Sequence, residues 1–142
     1  MSFLIRRLLT HEQLCDLELR VGRPAGGARG HRGLEARAII ATDLADTFIS
    51  SDLVHTLGLK RIGHSVAAHP LSAESIPCQI VEAELVLRGE EGRIWTFEID
   101  LLVAPRDLSP GLILGMDALE GGELRVHFPE RRWSFWVPPE AA

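Results

Sequence analysis

Two acidic side chains, Asp43 and Asp46, stand in the stretch Ile39–Ser50, IIATDLADTFIS, where an apolar run breaks into a turn rich in Asp and Thr. Carboxylates at such a place have two kinds of work open to them. Brought close to a second carboxylate, an Asp shares one proton with it, and the couple can act as base on a water and as acid on a carbonyl. Alone, an Asp in a turn bonds nearby backbone N–H groups and favours the positive end of a following helix. The second reading fits both residues, because a short helix follows them. His55, His64, His69 and Cys78 are the other chemically capable side chains near the middle of the chain. The spacing of His64 and His69 on an expected hairpin matches no zinc pattern, so no metal is expected and the histidines read as exposed residues. Cys15 and Cys78 read as buried free thiols, which suits a reducing compartment. The segment Gly22–Gly33, GRPAGGARGHRG, could cradle an anion. It lacks a Gly-Lys-Ser/Thr ending and a G-x-G-x-x-G pattern and leads into a strand, so it reads as a mobile connection and no cofactor is expected.

These side chains need a frame to hold them. Leu14 to Val21 alternates as a half-buried strand does. Leu34 to Leu59 reads as apolar strand, turn and short helix. Ser50 or Ser51 can cap the helix, Asp52 suits its first turn, Leu53, Val54 and Leu57 share one face, and Gly58 ends it. Lys60 to Leu87 reads as a long hairpin with AAHPLSAES at its tip, and Glu82 to Val103 as a second meander about a GEEGR turn. In the latter, Trp95, Phe97, Ile99 and Leu101 make the apolar face, until both faces become apolar near Leu101 to Val103. Gly111 to Leu119, GLILGMDAL, is an apolar strand, a Gly and a short helix. Glu123 to Val137 is a strand pair whose Trp133, Phe135 and Val137 lie on one face. That aromatic strand serves either a dimer sheet or the monomer's own core.

The order of these pieces resembles the retropepsin-like aspartic protease family, the retroviral proteases and their bacterial relatives. The resemblance rests on Ala38, Ile39 and Ile40 before the turn, on Thr47, Phe48, Ile49 and Ser50, on Leu57, Gly58 and Leu59, and on LILGMD, and it covers about Leu14 to Val137. It implies a mainly β, single-domain, closed β-barrel with one or two short helices, working as a homodimer in which each subunit gives one Asp to the shared-proton pair. It also implies that the Lys60–Leu87 hairpin is a flap closing over bound peptide, and that Asp117 anchors the second turn. In the family's register the Asp-Thr-Gly slots fall on Ala41, Thr42 and Asp43, so the motif is degenerate and its acid is replaced by a methyl group. Two readings follow. One is a protein that has lost catalysis and keeps a peptide-binding or scaffold role; the other is an active endopeptidase that uses Asp43 in a remodelled turn. The groove and flap positions implied are Asp46, His64, Val66, His69 and Ser72.

A chain of 142 residues is long enough for one core and too short for two. We divide it into a leader over 1–13 that can supply an interface strand, the domain over 14–137 and a tail over 138–142. The net charge of −5 spreads the arginines among more numerous carboxylates, which argues against a nucleic-acid partner. MSFLIRRLL lacks the layout of a secretory signal, and no apolar run reaches the roughly 18 residues of a membrane span. A cytoplasmic protein with a peptide or protein-segment partner, and no membrane partner, is the expectation.

Overall fold

The computed structural model describes residues 2–24, 33–68, 75–104 and 110–139. His69 and Ser72 of the expected flap tip lie outside the described residues, as does the middle of the Gly-Arg segment. Among the described residues ten strands and two short α-helices follow one another: β1 (Phe3–Leu8), β2 (Asp16–Gly22), β3 (Leu34–Ile40), β4 (Phe48–Ile49), α1 (Ser51–Leu57), β5 (Arg61–Ala68), β6 (Ser75–Arg88), β7 (Ile94–Val103), β8 (Leu112–Leu114), α2 (Met116–Leu119), β9 (Glu123–His127) and β10 (Arg132–Val137).

Six strands close into a ring. Around it, β2 pairs with β3, β3 with β8, β8 with β4, β4 with β7, β7 with β6, and β6 back to β2 through Arg20–Gly22 and Glu84–Val86. β5 lies outside the ring as an extension of β6. The ring is mostly antiparallel, with parallel pairings at β3–β8 and β4–β7. Those two places are where the chain crosses over itself to bring the Ala41–Thr47 turn beside Gly115.

Alternation decides which side chains fill the barrel. On β2, Leu17, Leu19 and Val21 are buried; on β6, Val81, Ala83, Leu85 and Leu87; on β7 the pattern becomes continuous at Leu101–Val103, where the strand leaves the surface. α1 buries Val54, and Leu53 and Leu57 pack partly against the core. Ser50 holds the N-cap position with extended backbone but makes no side-chain capping bond. Gly58 ends the helix in the left-handed region at φ 63°, and its N–H donates to the His55 carbonyl.

A second, three-stranded sheet runs β1–β10–β9. β1 therefore pairs with β10 of its own chain, from Phe3 opposite Val137 to Leu8 opposite Arg132. Phe3, Ile5, Trp133, Phe135 and Val137 are buried in the same cluster as the barrel's Leu17, Leu85 and Leu101, so the aromatic strand closes this chain's own core. Trp95 of β7 is the bridge, with ring centroids 6.0 Å from Phe3 and 5.7 Å from Phe135.

Candidate functional site

β3 ends at Ile40 and runs into a tight turn. The Leu44 N–H donates to the Ala41 carbonyl at 3.3 Å, which makes Ala41 to Leu44 a β-turn with Thr42 and Asp43 at its two central positions. Asp43 is not among the described non-glycine residues with left-handed backbone, which are Gln13, Glu91 and Arg131. The turn thus accepts a side chain at Asp43 without left-handed backbone. Both Thr42 and Asp43 are exposed, and the Asp43 carboxylate has no hydrogen-bond partner among the described residues.

The opposite turn, from β8 into α2, grips the first. A helix start leaves its first N–H groups without intrahelical partners, and here oxygens of the Ala41–Thr47 turn supply them. The Met116 N–H donates to the Leu44 carbonyl at 2.8 Å, the Asp117 N–H to the Ala45 carbonyl at 3.1 Å, and the Gly115 N–H to the Thr47 hydroxyl at 3.0 Å. The Ala41 N–H in turn donates to the Leu114 carbonyl at 2.9 Å. Gly115 is required by space: a Cβ there would lie 2.2 Å from the Asp46 carbonyl oxygen.

Thr47 is the hub of this crossing. It is fully buried at 0 % exposure, its hydroxyl donates to Asp117 Oδ1 at 2.6 Å, and its N–H donates to Asp117 Oδ2 at 3.3 Å. Its carbonyl accepts from the Leu102 N–H at 3.0 Å, tying the turn to β7. Burial pushes the Asp117 carboxyl above its ordinary value, and the nearby charge of Asp46 adds to this, while the bonds from Thr47 and from the Ala118 backbone act the other way. Asp117 therefore anchors the turn. In the sequence Thr47 stands only among the residues flanking the turn, and its partner Asp117 lies 70 positions away, beyond the reach of a local pattern.

Above the turn lies an apolar wall that the sequence pattern did not single out. Phe48 of β4, Cys78 of β6 and Leu102 of β7 are buried together, and Leu44, Ile76, Ile80 and Ile113 pack against them. Leu44 belongs to the turn and Ile76 and Ile80 to the β5–β6 hairpin, so hairpin and turn share one apolar contact. Burial pushes the Cys78 thiol up, and the charge of Asp46 pushes it further. Asp46 itself is exposed. Burial, then Asp16, likewise raises the Cys15 thiol; both cysteines are free.

His64 and Val66 lie two apart on one face of β5, opposite Gln79 and Pro77, and both are exposed. Among the described residues no three His, Cys, Asp or Glu side chains gather as metal ligands, and no helix is long and apolar enough to cross a membrane.

No family model matches the chain, and no curated protein matches it in sequence. Among solved structures it is similar to a retropepsin-like aspartic protease from Rickettsia conorii, with a TM-score of 0.64 and 14% identity over 96% of this chain and 93% of that one. The fold is retropepsin-like: a mainly β chain, a closed six-stranded barrel and two short helices.

Proposed function

We propose that this protein is a retropepsin-fold chain without peptidase chemistry, which binds an extended peptide between its crossed turns and its β5–β6 hairpin and does so as a homodimer. The observation that carries this is Ala41. It is the first residue beyond β3, its N–H is held on Leu114, and its side chain ends in a methyl at the place from which the resemblance would aim a catalytic acid. An acid couple of the shared-proton kind needs two carboxylates at close range, and Ala41 brings none to a twofold axis.

Binding without cleavage has its own support. Among the described residues β5 has a neighbouring strand on one side only, so its outer edge can take an added strand, and His64 and Val66 are exposed on β5. Exposed Leu14 and Met116 lie at the turn end of the molecule, β2 and β3 being paired there so that Leu14 runs toward Ala41, and they suit a contact with a second copy. The free buried thiols suit a reducing compartment, and a cytoplasmic location belongs to this reading.

A second reading is an active endopeptidase. It is favoured by the exposed, unpartnered carboxylate of Asp43 at the tip of the same turn. Digestion of a peptide library in mildly acidic buffer separates the two. The expected result is no cleavage by the natural sequence or by Asp43→Asn, and cleavage that appears on Ala41→Asp. Cleavage by the natural sequence that Asp43→Asn abolishes overturns the proposal in favour of the second reading.

A further inference from the structure

The three-stranded sheet has two outer edges, and they are finished differently. Beside β1 lies the turn from β6 into β7. Gly89 of that turn comes so near that a Cβ on it would be 2.5 Å from the Leu4 carbonyl oxygen, Arg93 donates to the Ser2 carbonyl at 3.0 Å, and Glu90 holds Arg6 through both oxygens at 2.8 Å. Beside β9 no strand lies among the described residues. β9 contains no proline, and its register against β10 runs from Glu123 to His127 without a bulge. An open edge that lacks those two blunting devices is a template for a further strand.

Hydrogen-bond parity says which backbone groups line that edge. The Leu9 N–H donates to the Arg131 carbonyl at 2.8 Å, which continues the β1–β10 register and makes Arg7–Trp133 and Ile5–Phe135 bonded pairs. Arg132, Ser134 and Trp136 therefore direct their backbone groups to β9, where His127, Arg125 and Glu123 stand opposite them. The intervening residues, Leu124 and Val126, point theirs outward. Neither of those two N–H groups has an acceptor among the described residues. Their side chains lie on the inner face against the core, while Glu123, Arg125 and His127 are exposed on the outer face.

The side chains decide what fits there. If a second β9 lies antiparallel on the first, outward backbone groups must oppose outward ones, so the twofold axis passes through Leu124, Arg125 or Val126. An axis at Arg125 sets two guanidiniums face to face, and an axis at Val126 sets Arg125 opposite His127. An axis at Leu124 sets Glu123 opposite the second copy's Arg125, and Arg125 opposite its Glu123. Within the chain Arg125 Nε already donates to Glu123 Oε1 at 2.6 Å, so about this axis acid and base alternate round a closed square. On the inner face Leu124 meets its own copy, and Val126 faces Gly122, which brings no side chain to crowd it.

We infer that the outer edge of β9 is a seam for a second copy of this chain, paired antiparallel about Leu124 so that the two three-stranded sheets become one. The charge pattern Glu-Leu-Arg answers itself when reversed, which is what an isologous contact requires. Cross-strand acid–base pairs also fix the register, since a slip to either neighbouring axis loses both of them. The seam rests on the homodimer of the reading above and says where the second copy sits. It needs neither a bound peptide nor the contact at Leu14 and Met116.

The test uses the full chain. Sedimentation equilibrium reads association, and amide hydrogen exchange reads its place. The natural sequence is expected to dimerise, with the Leu124 and Val126 amides slowing as its concentration rises through the dissociation constant. Arg125→Glu surrounds the axis with carboxylates alone and Glu123→Arg with guanidiniums alone, and each is expected to weaken self-association at least about tenfold. Mixed together, those two variants are complementary and are expected to pair with each other more tightly than either pairs with itself; the double variant Glu123→Arg/Arg125→Glu is expected to dimerise again, which shows that the fold survives the changes. A dimer that neither single variant weakens, with the Leu124 and Val126 amides exchanging freely, overturns the seam and leaves the homodimer standing. Single variants that stay apart on mixing also overturn the seam. A natural chain that stays monomeric at millimolar concentration overturns both seam and homodimer.

Discussion

One hydroxyl, that of Thr47, both donates to Asp117 and accepts from Gly115, and no water is needed to complete its bonding. Thr47→Val keeps the shape and removes both bonds, leaving a half-buried carboxylate and a buried N–H short of a partner. The expected loss is about 3 kcal/mol of stability in a urea titration; a loss below about 1 kcal/mol would show that the turns are held by packing alone. Asp117 adds a pH test. Its folded carboxyl is raised above the ordinary value of 3.8, burial being the main cause, so the folded chain holds the proton more tightly than the unfolded one. The stabilising contribution of this group is then complete below the ordinary carboxylate value and is lost as pH rises through the folded pKa. A carboxyl-carbon NMR titration of Asp117 is expected to inflect above 3.8; an inflection below it would mean that the Thr47 bonds outweigh burial.

Much of each element was legible before the structure. The three- and four-residue spacing of Leu53, Val54 and Leu57 and the stop at Gly58 are local facts, and α1 ends as they imply. The change from alternating to continuous burial at Leu101 was likewise written in residue types. β4 was not legible as a separate element, because a strand of two residues has no period to read, and it exists only because β7 and β8 flank it. The same holds for the partner of β1, which lies at the other end of the chain. In the site, the turn directly after the apolar strand could be read from residue types, whereas its acceptance of Asp43 without left-handed backbone could not, since that depends on backbone angles. Gly115→Ala tests the crossing at this scale. With its Cβ 2.2 Å from the Asp46 carbonyl, the substitution must push the two turns apart, and it is expected to cost about 3 kcal/mol and to speed exchange of the Met116 and Asp117 amides. Unchanged exchange there would refute the crowding argument.

Across the whole molecule, barrel and three-stranded sheet share one apolar cluster, with Ile5 wholly buried in it. Ile5→Ala is therefore expected to cost about 3–4 kcal/mol and to lower the stability of the barrel along with that of β1. Far-ultraviolet circular dichroism and tryptophan fluorescence should report one common transition; two separated transitions would make the three-stranded sheet an independent unit.

The bond from Thr47 to Asp117 spans 70 positions of chain, and the ring that carries Thr47 is completed on both sides by a strand of two residues. Such distant contacts form only after long loops have been closed. The crossed turns are accordingly a late product of folding: a chain still emerging, or one cut before residue 115, has no means of assembling them. Anything that depends on the crossed turns must wait until the last third of the chain has arrived.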